Sequence, residues 1–356
     1  MSVELQLNKP ARMEWLDAMR GFTMILVVAY HVSTDCFGQN IKHSAALSFF
    51  VLFRMPLFFF VSGFLAYSSK TVWNLRTLWQ NLLKKCKVQL IPTVVFLAVF
   101  LSLMRPNFLK GLEAALASPT KSGYWFTWAL LLMFVIYYVF AYLESKLPKK
   151  TIIPLLLLWT GATAVYATIY MPSWFTYHKD PFFSYTSLIQ VMTYFHFFLF
   201  GTMVRRYWQQ IERLFDTKWF YTVIVVVAFI CAVDYLKWHT LRLQWANLPR
   251  TVAMYSLILI VVMFFRHYKE WFTKQTVVGK CLQYIGTRTL DIYLLHFLFL
   301  PNAKMIGSFF SHNLRNFVFD ATLSLVVGLL VIGFCLITSN ILRVSPIFRK
   351  YLFGRP

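Results

Sequence analysis

The chain has 356 residues, of which 59% are hydrophobic, 19% aromatic and only 13% charged, with a mean hydropathy of +0.59. Soluble domains carry about a quarter charged residues, so this composition argues against a soluble protein and for a membrane bundle. The formal net charge is +22, but no basic arm or domain stands outside the apolar stretches, which argues against nucleic-acid binding and for lysines and arginines that anchor loops on one membrane face.

Hydropathy places about ten spans, near residues 14–34, 48–68, 88–104, 123–143, 152–171, 187–204, 218–237, 249–267, 284–303 and 317–342. The expected fold class is all-α, a polytopic membrane helical bundle forming one domain over residues 1–356, without internal repeats. The first apolar run is too long for a signal peptide and lacks a small-residue cleavage site, so it reads as a retained span. Alternate loops differ in charge. One set carries Lys9 and Arg12, Lys70 to Lys87, Lys146 to Lys150, Arg205 to Lys218, Arg266 to Lys280 and Arg343 to Arg355; the other includes Lys42, Lys110, Lys179, Lys237 and Arg315. The first set holds about twice as many lysines and arginines, which assigns it, with both termini, to the cytoplasm. Cys36, Cys86, Cys231, Cys281 and Cys335 are scattered without paired spacing, which points to neither a disulfide framework nor a metal site.

The first span, Trp15 to Val32, carries Asp17, Arg20 and His31. An ionisable group at the bilayer centre costs roughly 2.5–3.5 kcal/mol on insertion scales, so three in one span need a reason. Arg20 and His31 are eleven residues apart. That spacing puts them on one helix face, about 16 Å apart along the axis. A cation near one membrane surface and an imidazole near the other can therefore line one cavity.

Later spans add polar residues at matching depths. Arg54 sits about two turns below the outer surface, near the depth of His31. Snorkelling to headgroups would account for it, but Pro56 and Ser62-Gly63 follow, and a proline can open the helix where a cavity is lined. Lys84-Lys85-Cys86-Lys87 enters the third span and reads first as a positive-inside anchor, second as a cationic mouth for a phosphorylated donor. Tyr124-Trp125-Phe126 opens the fourth span, where composition favours an interfacial aromatic belt over stacking against a sugar. His196 reads as a bundle residue hydrogen-bonded to a neighbouring helix. In the ninth span Asp291 falls at the depth of Arg20 and His296 at that of His31. Asp17 or Asp291 is the anion expected beside Arg20; for Asp291 an ion pair that only fixes packing is an equal account. The histidines are dispersed, with no carboxylate cluster at ligand spacing, which argues against a metal.

These residues resemble a family. Leu-Asp-Ala-Met-Arg-Gly at 16–21 with His31, an arginine and a histidine with ten residues between them, is similar to the first-span signature of the acyltransferase-3 family of integral membrane acyltransferases. Arg-Met-Pro-Leu-Phe-Phe-Phe-Val-Ser-Gly-Phe at 54–64 resembles its second-span motif. Tyr124-Trp125-Phe126 and Leu-Asp-Ile-Tyr-Leu-Leu-His at 290–296 are similar to its fourth-span and late-span signatures. The four motifs run in the family's order over almost the whole chain. Among members the chain most resembles the stand-alone sugar O-acetylases, without the extracytoplasmic hydrolase-like domain of many relatives. Lys84 and Lys87 stand where the family more often has arginines, so a phosphate would meet point charges rather than a planar fork.

The resemblance implies transfer of an acyl group, usually acetyl from acetyl-CoA, to a hydroxyl on an extracytoplasmic or lipid-linked glycan, with no metal. It implies coenzyme A phosphates against Arg20, Lys84 and Lys87, and a pantetheine arm threading toward His31. His31 would act as general base and Arg54 as the partner of the thioester oxyanion. An acyl-histidine intermediate is the other course. Trp125 and His296 are the candidate substrate-binding residues, with Asp17, Ser62 and Asp291 supporting. The implied partners are acyl-CoA, the glycan acceptor and membrane lipids, in a bacterial cytoplasmic (inner) membrane. The competing reading is a transporter or flippase for a glycan or lipid-linked sugar, which often betrays itself by internal repeats that this sequence lacks.

Reporter fusions after Lys150 and after Lys350 are expected to read cytoplasmic, and one after Lys179 external. An external signal after Lys350 would mean an odd number of spans and would reverse the depths assigned to Arg20 and His31.

Overall fold

A backbone buried in hydrocarbon must satisfy its own hydrogen bonds, and the apolar stretches of this chain do so as helices. The structure, a computed structural model, describes residues 13–39, 44–148, 151–169, 181–235, 248–307 and 317–353. Of the loop cations used above for orientation, Lys9, Arg12, Lys42, Lys149, Lys150, Lys179, Lys237, Arg315 and Arg355 lie outside these residues. In chain order the main helices are α1 Glu14–His31, α2 Ala45–Ala66, α3 Leu75–Met104, α4 Phe108–Ala117, α5 Trp125–Glu144, α6 Ile153–Ile169 and α7 Leu188–Arg206. They continue with α8 Trp208–Phe215, α9 Lys218–Val233, α10 Leu248–His267, α11 Val277–Thr287, α12 Thr289–Phe299, α13 Phe317–Leu342 and α14 Pro346–Phe353.

Among the described residues, five helices are long and apolar enough to cross a membrane: α2, α3, α5, α10 and α13. The pair α8 and α9, bent by 85°, makes a sixth if taken as one span. The chain is thus a multi-pass membrane bundle. Helix α1 has 18 residues but carries Glu14, Asp17 and Arg20, and it lies inside the bundle rather than against lipid, with Ala18, Met19, Met24 and Val28 fully buried. Helix α7 is likewise interior, and its polar residues are used there. His196 Nε2–H donates to the Thr193 carbonyl (3.2 Å), so Nδ1 accepts from the Tyr255 hydroxyl of α10 (2.6 Å). The Tyr255 oxygen accepts in turn from Trp159 Nε1 of α6 (3.1 Å). His196 is therefore the packing residue expected of it.

Two boundaries differ from the hydropathy reading. The third helix begins at Leu75 rather than near residue 88, because Lys84, Lys85 and Lys87 interrupt the apolar signal without interrupting the helix; a π turn at Cys86–Leu90 carries the chain through. The ninth stretch is two helices rather than one. Arg288 leaves the helical region (φ −118°, ψ 21°) and stacks its guanidinium on Tyr284, 4.4 Å from the ring centroid. The break lets α11 lie along α1 while α12 turns against α13.

Close backbone approach fixes the centre. A Cβ on Gly63 of α2 would sit 1.8 Å from the Phe198 carbonyl oxygen of α7, and one on Gly201 of α7 would sit 2.0 Å from the Phe60 oxygen of α2. Helices α1 and α11 cross in the same reciprocal way: Gly21 meets the Leu282 oxygen (2.0 Å) and Gly286 the Asp17 oxygen (1.8 Å). Small residues at such crossings let dispersion act between backbones where no hydrophobic force separates helix from lipid.

Gly201→Ala is expected to lower the thermal midpoint of the purified protein, the overpacking costing about 1–3 kcal/mol. Gly161 of α6 has nothing within 4 Å of an added Cβ among the described residues, so Gly161→Ala is expected to leave the midpoint unchanged or raise it. Equal midpoints for the two variants would show that the α2–α7 crossing tolerates separation.

Candidate active site

Two chambers lie along α1. The first, about 450 Å³, surrounds its C-terminal end and is lined by His31, Asp35, Arg54, Tyr30, Trp125 and Phe126 among others. Beyond His31 the helix continues as a π turn, Val32–Cys36, and residue i+4 swings under the imidazole. His31 Nδ1 and Asp35 Oδ2 are 2.8 Å apart. A carboxylate there accepts from Nδ1–H, which leaves the Nε2 lone pair as the ring's proton acceptor. Asp35 was not among the residues singled out from the sequence, although its i+4 spacing from a helical histidine is a readable signal.

Arg54 faces the same chamber. Its guanidinium lies 3.3 Å from the centroid of the Tyr30 ring, its Nε is buried without a hydrogen-bond partner, and no ion pair holds it among the described residues. The residue is only 9% exposed, so it does not snorkel to the surface. An unpaired buried cation costs on the order of several kcal/mol, and a fold retains one where an anion is to be met.

Ser122 and Gly123 line this chamber and belong to a run of three consecutive residues with positive φ: Lys121 (49°), Ser122 (53°) and Gly123 (97°). Non-glycine residues in that region cost about 1–3 kcal/mol each. Lys121 holds them: its buried ammonium donates to the carbonyls of Leu116 (2.5 Å), Ser184 (2.7 Å) and Ser118 (3.3 Å). Gly123 admits no side chain, since a Cβ would fall 2.3 Å from the Phe297 ring.

The aromatic entry to α5 is not an interfacial belt. Tyr124 is buried and donates its hydroxyl to the Leu294 carbonyl (3.0 Å), and Phe126 is core. Half-buried Trp125 stacks on Tyr194 (5.8 Å, 22°) in the chamber wall. This entry turns inward where α12 supplies polar partners, the Leu294 carbonyl to the Tyr124 hydroxyl and the Tyr293 hydroxyl to the Phe126 N–H. His296 is fully buried and is not part of the wall; it packs behind His31 with ring centroids 5.1 Å apart, its Nδ1 donating to the Tyr293 carbonyl (2.7 Å).

The second chamber, about 210 Å³, surrounds Arg20. The Arg20 fork reaches Asp17 Oδ1 (3.3 Å) and Thr289 Oγ1 (3.1 Å). Asp17 is thus the expected anion. Asp291 is not: it accepts from Ser339 (2.6 Å) and from Arg343 at 2.6–2.9 Å, a buried pair that ties α12 to α13. Ser62 lines the chamber but its hydroxyl is turned back to the Phe58 carbonyl (2.9 Å). Of the lysine cluster, Lys85 lines this chamber, its ammonium 3.5 Å from the Phe134 centroid, whereas Lys84 and Lys87 are exposed and line neither chamber. Successive residues of a helix point about 100° apart, so the rotation that turns Lys85 inward turns Lys84 outward, and Lys87, three residues after Lys84, lies on the outward side with it. Gln89, one turn on, presents a buried Oε1 without a donor among the described residues.

Phe58, Phe126 and Tyr293 line both chambers and form the wall between them. Phe58 and Phe126 meet edge to face at 4.7 Å, and Phe126 and Tyr293 at 5.4 Å. The Tyr293 hydroxyl pins the wall, donating to the Gly123 carbonyl (2.8 Å) and accepting from Phe126 N–H (3.1 Å).

A dyad that can take a proton, a bare buried cation beside it and a second cationic chamber one slot away are the parts an acyl-transfer site needs. A family described as an acyltransferase domain, Acyl_transf_3, matches residues 13–340. The chain belongs to the acyltransferase 3 family. No curated protein and no solved structure matches it. The membership makes the chain a membrane acyltransferase and implies an acyl donor and an acceptor.

Tyr293→Phe strands the Phe126 N–H and the Gly123 carbonyl and is expected to cost about 1–3 kcal/mol. Thermal unfolding in detergent reads this as a lowered midpoint; an unchanged midpoint would show that the wall stands without the hydroxyl.

Proposed function

We propose that this membrane acyltransferase moves an acyl group, acetyl by our assignment, from cytoplasmic acyl-CoA to a hydroxyl of an extracytoplasmic or lipid-linked glycan. The observation that carries the reading is the meeting of the His31–Asp35 dyad with unpaired Arg54 in one chamber, continued past an aromatic wall by a chamber holding Arg20 and Lys85. The whole chain acts as one domain of ten spans, with both termini cytoplasmic, in the inner membrane of a bacterium. Arg20 then belongs to the cytoplasmic side and His31 to the outer side, and the donor enters at Arg20.

In this reading the thioester passes Phe58, Phe126 and Tyr293 as a slender arm, with a pantetheine amide N–H satisfying Gln89 Oε1. The acceptor lies against Trp125. Its hydroxyl oxygen attacks the thioester carbonyl carbon while His31 Nε2 takes the proton, and Asp35 steadies the imidazolium. Negative charge develops on the carbonyl oxygen, where Arg54 is already desolvated and without a competing carboxylate. The carbon–sulfur bond then breaks, and the departing thiolate takes from His31 the proton that the acceptor hydroxyl gave up. Lys84 and Lys87 act through their field at the mouth rather than by contact. His296 acts as the support of the His31 ring rather than as a sugar contact.

His31→Gln keeps hydrogen bonding but cannot take up a proton, so glycan acetylation in membranes, normalised to protein, is expected to fall by about 10²–10⁴-fold while coenzyme A still binds. Arg54→Gln is expected to lower transfer by about 10²–10³-fold. Near-normal transfer by His31→Gln would overturn the base assignment, and a glycan acetyl content independent of the protein would overturn the function.

A further inference from the structure

A third cavity, about 790 Å³, opens at the Arg20 end of α1 and meets the inner chamber at Arg20 and Leu65, which line both. Four cations line it, Arg20, Lys70, Arg205 and Arg206, against one carboxylate, Asp17. Two are committed elsewhere: Arg20 reaches Asp17, and Arg206 is paired with Glu144 at 2.7 Å. Lys70 and Arg205 have no carboxylate partner among the described residues. Arg205 is half-buried, with its guanidinium 5.3 Å from the Phe64 ring and 3.9 Å from Met13 Sδ, neither of which answers its charge. Trp208 completes the wall, braced by stacking on Trp15 (5.7 Å, 23°).

Unpaired cations around a concavity focus a positive potential and draw in a polyanion, and a planar guanidinium fits phosphate with two parallel hydrogen bonds. Pockets that hold small ligands measure about 300–1,000 Å³, so this vestibule has room for a nucleotide and the 210 Å³ inner chamber does not. We propose that the vestibule binds the nucleotide end of coenzyme A, with its phosphate esters at Lys70 and Arg205 and its adenine against the Trp208 wall, so that only the pantetheine arm passes Arg20. This rests on the acyl-CoA reading above. It moves the phosphate contacts from the lysines at 84 and 87 to two residues that sequence alone leaves as loop anchors.

Phosphate esters also come as anionic lipid headgroups, so the test separates the two sources. The full-length protein, its Lys70→Gln variant and its Arg205→Gln variant are placed in nanodiscs of phosphatidylcholine alone and of phosphatidylcholine with phosphatidylglycerol. Affinities for coenzyme A, 3′-dephospho-coenzyme A and pantetheine are measured in each. In phosphatidylcholine each substitution is expected to weaken coenzyme A about tenfold, and at least one to abolish its advantage over the dephospho form. Pantetheine, which lacks the nucleotide, is expected to bind all three proteins alike, which also reports that the variants fold. Coenzyme A affinity within twofold of wild type for both variants would overturn the proposal while leaving the acyl-CoA reading intact. So would pantetheine affinity falling in parallel, or an effect confined to phosphatidylglycerol discs. A wild-type protein that binds no coenzyme A in either disc would remove both.

Discussion

An α-helix that carries Asp17, Arg20 and His31 through an apolar slab must have each of them met by protein or by a cavity, because hydrocarbon offers no hydrogen bond. Much of the bundle follows from that requirement. Gly21 and Gly286 let α11 press against the polar half of α1, and the chain then breaks at Arg288 so that Thr289 comes within reach of Arg20. Farther along, the π turn after His31 delivers Asp35 to the imidazole, and α12 brings His296 and Phe297 against the ring. Longer and more apolar helices, α2, α3, α5, α10 and α13, can face lipid because α1 and α7 hold the polar groups inside.

Asp17 answers Arg20, yet the two chambers along α1 stay separate. A continuous wet slot of about 16 Å between Arg20 and His31 would leak ions across the membrane. Phe58, Phe126 and Tyr293 prevent that with an edge-to-face stack, and the hydroxyl of Tyr293 ties the stack to the backbone at Gly123. The rim residues Lys121 to Gly123 therefore do two things. Ser122 and Gly123 line the outer chamber, and the turn holds one end of the wall, which accounts for a strained backbone clamped by the buried Lys121 ammonium. An arm thin enough to part aromatic rings without unfolding helices suits such a barrier, as a polar headgroup does not.

Composition and hydropathy made the bundle legible, and helical periodicity made the Arg20–His31 face legible, because both depend on residues near in sequence. The depth match of Arg54 to His31 was readable for the same reason. What remained hidden depends on contacts between distant segments. Asp291 and Asp17 are equal candidates for Arg20 until Arg343, fifty-two residues after Asp291, is seen to take Asp291. Lys84, Lys85 and Lys87 differ only by rotation about α3, and a π turn at Cys86–Leu90 adds a register shift that no charge pattern reveals. The aromatic run at 124–126 resembles an interfacial belt in composition; its inward turn is set by Leu294 and Tyr293, which supply the polar partners. Hydropathy started the third helix late because lysines lower the window average although they leave the helix unbroken.

The arginines of this bundle separate by what answers their charge. Arg206 has Glu144, Arg266 has Glu212 and Asp216, Arg343 has Asp291, and each of these pairs joins two helices. Removing either partner from a buried pair leaves an uncompensated charge, which is why folds rarely keep one. Arg54 is kept. It is more buried than the position of a membrane anchor requires, its Nε has no acceptor among the described residues, and its plane lies over an aromatic face, a weaker contact than a carboxylate provides. Asp35 is close enough to act on it through space but spends its hydrogen bond on His31. A carboxylate on Arg54 would stabilise the resting protein and compete with any oxyanion formed beside the imidazole. In the acyl transfer proposed above, a guanidinium left desolvated, and unpaired among the described residues, would reserve its field for charge that exists only during reaction, which is where electrostatic preorganisation lowers a barrier rather than deepening a well.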